Sequence, residues 1–388
     1  MLDKLFIISV FFPFLSPYPI DQDIQPISGL LGILVVIRYI LGNNFKIPVS
    51  FVIMISISVL SLAYINPFID NAFNFSKSVS LSYGLIVLLA FKASSKSLTN
   101  GLFSWIIIVY FSYSLLLLFN FDFFQEVQGY FIRANNSNIL GYRGIATFST
   151  EPGLFGGLLV FFLIINDYLF RQQGNVASHR VNFILVFIMI LLTKSGTGYA
   201  YFALYLFLKL AMSKKFSSFL ILLTLISATI AASLLIDDKQ FFGRGVHLIL
   251  LSIMDFELLV SQDTSIYGRL LDASISFISM LEYPLGLGLG GVNEVLKSLT
   301  EEYSYLSNYY GKSVVIGLVS SLSYFVAMYG VFFYVFLAYL FGFYSKANYI
   351  ESIFSIIFML FSYSMAFPPI WILNQLVNVD KKQEYENR

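Results

Sequence analysis

The residues best suited to chemistry cluster between Arg133 and Gly157, in the stretch RANNSNILGYRGIATFSTEPGLFGG. Arg133 and Arg143 are two guanidinium groups in an otherwise apolar chain. The planar fork of arginine matches phosphate oxygens two at a time. Glu151-Pro152 marks the start of a helix, because the fixed φ of proline suits the first helical position. Glu151 then falls at the cap, where free backbone N–H groups attract anions. Arginines beside such a terminus describe a place to hold a diphosphate at a membrane interface. The plainer alternative is that Glu151 caps its own helix and the arginines pair with Asp122, Glu126 or lipid headgroups, since arginines at span ends commonly snorkel.

A second stretch has related chemistry. Tyr267-Gly268-Arg269 precedes Glu282-Tyr283-Pro284-Leu285-Gly286-Leu287-Gly288-Leu289-Gly290-Gly291. Glycines this dense let backbone approach a ligand or another helix closely, or make a flexible turn. Arg269 is a candidate phosphate ligand, and Arg244 in Gly243-Arg244-Gly245 is a lesser one. Other patterns do not hold up. Gly311-Lys312-Ser313 ends like a phosphate loop, but Leu306 stands where the first glycine is required. Asp21 and Asp23 are paired acids with no third ligand to complete a metal site. His179 and His247 are too far apart in sequence to suggest zinc.

The elements that must position these groups are membrane spans. Of the 388 residues, 58% are apolar and 12% charged, against about 25% charged in soluble domains. Mean hydropathy is +0.79. Net charge is +1 and there are no cysteines. Nucleic-acid binding, disulfides and thiol catalysis are therefore not expected. Apolar runs able to cross about 30 Å of hydrocarbon fall near 5–20, 27–42, 47–65, 79–92, 101–120, 153–170, 181–193, 197–212, 217–236, 325–344 and 350–367. A twelfth run, Ile370 to Val377, is too short to span alone. The expectation is an all-α, polytopic transmembrane bundle of about 11–12 spans, one domain over 1–379 with a disordered tail at 380–388. Two long extracytoplasmic loops, about 121–150 and 237–320, interrupt the spans. Amphipathic helices are expected in the second loop at Val246–Val260 and Leu271–Leu281.

Lysine and arginine fix the orientation. With the N-terminus in the cytoplasm, Lys4, Arg38, Lys46, Lys92, Lys96, Arg171, Arg180, Lys209, Lys214, Lys215 and Lys346 lie at cytoplasmic ends, opposed there only by Asp3, Asp167 and Glu351. Both long loops and Glu151 then face outward.

Taken together, these motifs resemble the O-antigen polymerase (Wzy-type) family, related to the O-antigen ligases and GT-C-like glycosyltransferases. Arg133, ten residues and then Gly144 look like its arginine-ten-glycine motif. Arg143 to Gly153 is similar to its arginine, aromatic, Glu-Pro pattern. Leu192-Thr193-Lys194-Ser195-Gly196-Thr197-Gly198 looks like its tight external turn between two spans. Arg269 with Pro284-Leu285-Gly286-Leu287-Gly288 is similar to its second-loop pattern, and Pro368-Pro369-Ile370-Trp371 to its ending. Met280 stands where a repeated arginine-ten-glycine motif would need glycine. The Ser321-Leu322-Ser323-Tyr324 stretch lacks the external histidine of the ligases, which favours a polymerase.

The resemblance implies glycosyl transfer on the periplasmic side of the bacterial inner membrane. Undecaprenyl-pyrophosphate-linked glycans would be donor and acceptor, with a chain-length regulator protein as a possible partner and no cofactor or metal. Arg143 and Arg269 would stabilise the departing pyrophosphate, with Arg133, Arg244 and Gly144 as further binding residues. Glu151 would accept the acceptor's proton or orient an arginine. The rivals are an O-antigen ligase-like transferase, a flippase of the same lipid-linked unit and a non-catalytic scaffold. A transporter favours charges or broken helices at the midplane, whereas here the unusual residues lie in the loops.

Overall fold

The computed structural model describes residues 1–17, 24–42, 52, 56, 75–132, 144–212, 264–288, 298–299, 302, 321–334, 349–360 and 364–376. Among the described residues every regular element is a helix. In chain order these are α1 (Leu2–Phe11), α2 (Ile27–Gly42), α3 (Phe75–Ser94), α4 (Asn100–Phe119), α5 (Phe121–Gly129), α6 (Pro152–Gln173), α7 (Val176–Leu192), α8 (Gly196–Met212), α9 (Thr264–Glu282), α10 (Ser321–Tyr329) and α11 (Tyr349–Leu360). Among the described residues, three helical stretches are long and apolar enough to cross a membrane: Val79–Ser97, Asn100–Phe119 and Pro152–Gln173. The expected amphipathic helix at Val246–Val260 and the span near 217–236 lie outside the described residues.

The chain divides into two compact units. One comprises Met1–Ile27 and Ser94–Leu259, the other Ser28–Ala93 and Val260–Arg388. In the first unit α6 is the central helix. It is apolar around its circumference, and 78% of its spanning window is buried, against 33% for α4. A helix apolar all round needs partners all round. Here α7 and α8 flank it, and α4 packs on both α6 and α7. An aromatic cluster fills the space between α1, α4 and α6. The Phe11 ring meets those of Phe103, Phe161 and Phe162, and the Tyr110 ring meets those of Phe12, Phe148, Phe155 and Phe162. The buried Tyr110 hydroxyl donates to the Phe11 carbonyl at 2.7 Å, which satisfies the one polar atom of that cluster.

Helix ends follow local chemistry. Thr99 caps α4 by accepting from Leu102 N at 3.3 Å, and Asn175 caps α7 by accepting from Ser178 N at 3.0 Å. Gly174, in the left-handed region at φ 66°, closes α6. One expected span ends early. α1 stops at Phe11, two residues before Pro13, because proline disfavours helix in the residue before it. Its 10 residues reach about 15 Å, half a hydrocarbon core. α10 is interrupted where Gly330 turns to φ 54°; helix resumes at 331–334, and the rest of the span expected near 325–344 lies outside the described residues. The first long loop begins as a helix, α5, one residue after α4.

In the second unit Ser28 on α2 hydrogen-bonds the Tyr83 hydroxyl on α3. Gly84 lies beneath the indole of Trp371, where no Cβ would fit. Trp371 is fully buried, and its Nε1 donates to the Met365 carbonyl at 2.5 Å. Ser355 on α11 donates to the Ile370 carbonyl at 3.0 Å. The Pro-Pro-Ile-Trp ending thus locks a terminal helical run, 368–376, into this unit.

Candidate functional site

Residues 144–151 form an ordered strap across the start of α6. Ile145 N donates to the Leu192 carbonyl at 3.1 Å. Gly144 lies so close to the Thr193 and Leu192 carbonyls that a Cβ would collide with backbone. Ile145, Ala146, Thr147, Ser149 and Thr150 are buried, while Glu151 is exposed. Glu151 occupies the N-cap of α6 with Pro152 behind it, as the sequence predicts, but its side chain makes no capping hydrogen bond.

The strap is held from three sides. Gln128 on α5 donates to the Thr147 carbonyl and, at 3.3 Å, to the Ser149 carbonyl. The Ser114 hydroxyl donates to the Tyr110 carbonyl at 2.9 Å, so in its 2.7 Å contact with Thr147 the threonine hydroxyl is the donor. Tyr113 stacks on Phe148 at 4.4 Å between ring centroids. These contacts hold Thr147 at φ 44°, a left-handed conformation unusual for a β-branched residue. Such strain persists only where surrounding contacts enforce it, and it concentrates at functional sites.

The turn between α7 and α8 completes this locus. Only Thr193, Lys194 and Ser195 separate the two helices, and Lys194 is also left-handed at φ 46°. Ser195 caps α8 by accepting from Gly198 N at 3.3 Å. Gly156 and Gly198 bring α6 and α8 into backbone contact, and a Cβ on Gly156 would stand 2.5 Å from Gly198 Cα. Small residues permit such approach between spans. Two sequence-predicted segments, 143–153 and 192–198, are therefore neighbours in space from Gly144 onward.

The described second-loop segments lie in the other unit. Arg269 lies in the first half of α9. The Pro-Leu-Gly turn after α9 braces the end of α10: Leu287 N donates to the Ala327 carbonyl at 2.9 Å, and Val331 N to the Pro284 carbonyl at 2.9 Å. Gly286, at φ 84°, and Gly330, at φ 54°, face each other where side chains would clash. These glycines build a turn-to-helix joint.

Arg133, Arg143 and Arg244 lie outside the described residues, as do Asp21, Asp23 and His247. Among the described residues no group of three acids or histidines is placed to hold a metal ion.

Two features escape the sequence reading. Gln128 is one of two amides on an aromatic amphipathic helix, and only its contacts reveal it as the strap's main tie. Asp167, read as a bare cytoplasmic-end acid, is the hub of a network. It accepts from Lys209 Nζ at 2.7 and 2.8 Å and from the Tyr205 hydroxyl at 2.5 Å, and it pairs with His179 Nε2 at 2.8 Å. Asn166 donates to the His179 carbonyl at 2.9 Å and accepts from Asn182 at 3.2 Å. Apolar-run counting registers Asp167 and Lys209 only as blemishes, not as partners 42 residues apart.

Comparison with known protein families, with characterised proteins and with solved structures gives no match for this chain.

Proposed function

We propose that this chain polymerises undecaprenyl-pyrophosphate-linked oligosaccharide repeat units into O-antigen or a similar surface polysaccharide, by glycosyl transfer on the periplasmic face of the bacterial inner membrane. One observation carries the reading. A strained, multiply tied strap delivers an exposed carboxylate, Glu151, to the N-terminus of the most buried span, beside a second strained turn. Structural capping alone would not require this, since the Glu151 side chain makes no cap bond.

In the reaction, the bond between the donor sugar's anomeric carbon and its phosphate oxygen breaks. A bond to the acceptor sugar's hydroxyl oxygen forms, and that hydroxyl's proton passes to Glu151. Negative charge develops on the departing pyrophosphate, where Arg143 and Arg269 would act, assisted by Arg133 and Arg244. Electrostatic stabilisation of this kind is commonly the largest catalytic contribution. Gly144 enters as the residue that lets the strap dock.

The test is direct. Purified protein with lipid-linked repeat units should give a glycan ladder. Arg143→Ala, Arg269→Ala and Glu151→Gln should each lower its rate by about 10²- to 10³-fold, the range for losing one transition-state donor. Normal ladders from all three variants would refute the assignment. A second reading, a carrier of the same lipid-linked unit, draws on the charged Asp167–Lys209 pair toward the expected cytoplasmic ends of α6 and α8. Movement of units across protein-containing vesicles without polymerisation would select it.

A further inference from the structure

Beneath α5 lies a half-enclosed cavity of about 190 Å³. Leu15, Tyr113, Val127, Gln128, Phe131, Ile132 and Phe148 line it. We propose that this cavity binds a hydrocarbon chain of a membrane lipid.

Size and chemistry exclude most other ligands. The lining is apolar almost throughout. The amide nitrogen of Gln128, the one strongly polar side chain there, already donates to the Thr147 and Ser149 carbonyls. A polar ligand would lose its water and gain nothing in return. An apolar cavity of about 150 Å³ stays dry and takes up benzene, so this one has room for a hydrocarbon segment of similar bulk.

Position selects the source. The cavity lies at the end of α4, a membrane-length helix whose Trp105, Ile108, Leu116 and Leu118 are exposed. Phe119 is 86% exposed, and Phe123, Tyr130 and Phe131 continue the apolar surface around α5. Aromatic side chains favour the membrane–water boundary. Phe131 both lines the cavity and is half exposed on this apolar surface, so the two are continuous. An acyl chain of a phospholipid and the chain of a polyprenyl phosphate share this chemistry. A bound chain would also support α5, whose Gln128 holds the strap leading to Glu151. The inference rests on the membrane-spanning character of α4 and not on glycosyl transfer.

The full-length protein is reconstituted in two kinds of nanodisc. One contains phospholipid with a diazirine at the end of an acyl chain, the other polyprenyl phosphate with a diazirine in its terminal unit. Irradiation and peptide mass spectrometry should find adducts on Tyr113, Phe131 or Phe148 in at least one preparation, and the labelled preparation identifies the source. Val127→Trp and Ile132→Phe fill the cavity and should abolish these adducts, while adducts at Trp105 on the outer face of α4 persist and report an intact fold. Adducts confined to the face of α4 in both preparations, or cavity adducts unchanged in both filled variants, would overturn the proposal. The readout needs no turnover, so an inactive protein does not decide it.

Discussion

Gly144 and Gly153 flank the strap and face opposite demands. At Gly144 a Cβ would meet the backbone carbonyl of Thr193, which cannot rotate aside. At Gly153 the nearest atom to a Cβ is Ser195 Oγ at 3.7 Å, an ordinary contact. Gly144→Ala should therefore cost about 1–3 kcal/mol, the range for overpacking. Gly153→Ala, in the first turn of α6, should be neutral or stabilising by up to about 1 kcal/mol from helix propensity. Thermal unfolding of the two variants in detergent checks the stability order. Their polymerisation rates add a second discrimination. Because alanine keeps the backbone N–H at the start of α6 and its Cβ meets only ordinary contacts, Gly153→Ala should retain activity as well as stability. Equal thermal losses for the two variants would contradict the close approach at Gly144.

At the scale of helices, α6, α7 and α8 are joined at both ends by different means. Near the strap, Gly156 against Gly198 gives backbone contact between α6 and α8. Toward the other end Asp167 ties α6 to His179 on α7 and to Tyr205 and Lys209 on α8. Asp167→Ala leaves the Lys209 ammonium without its carboxylate. For a fully buried pair such a loss costs about 3–5 kcal/mol. Here the Lys209 side chain is 40% exposed, so about 1–3 kcal/mol is expected after solvent screening. Tyr205→Phe should cost about 1 kcal/mol, one hydrogen bond. Denaturant unfolding of Asp167→Ala, Lys209→Ala and the double variant measures the pairing, and the double variant should be less unstable than the sum of the two. Strict additivity would show that the network does not act as a unit. This staple could not be read from the chain alone, because helix-length apolar runs carry no information about which two blemishes face each other. The helices themselves could be read. The Glu151-Pro152 pair marks the start of α6 through local backbone chemistry that needs no tertiary context. The strap's strain was illegible for the opposite reason: Thr147 reaches φ 44° only because Ser114, Gln128 and Phe148's neighbours enforce it.

For the whole molecule the decisive quantity is which side of the membrane receives Glu151. α6 has 22 residues, about 33 Å at ~1.5 Å per residue, longer than the ~30 Å hydrocarbon core. A helix of this length and apolarity is able to cross the bilayer and to place its two ends on opposite sides. The distribution of basic residues leads to the expectation that Arg171 and Arg180 face the cytoplasm, with Glu151 and α5 then facing outward. The absence of cysteine in the chain makes this testable without background. Asp122→Cys on the exposed face of α5 and Gln172→Cys at the exposed end of α6 introduce single thiols at sites with no core contacts to disturb. In spheroplasts a membrane-impermeant maleimide should label Asp122→Cys at once. Gln172→Cys should be labelled only after permeabilisation. The reverse pattern would place Glu151 in the cytosol. A departing pyrophosphate in the outer leaflet would then lie the full width of the bilayer from its carboxylate, and glycosyl transfer at this strap would be physically impossible.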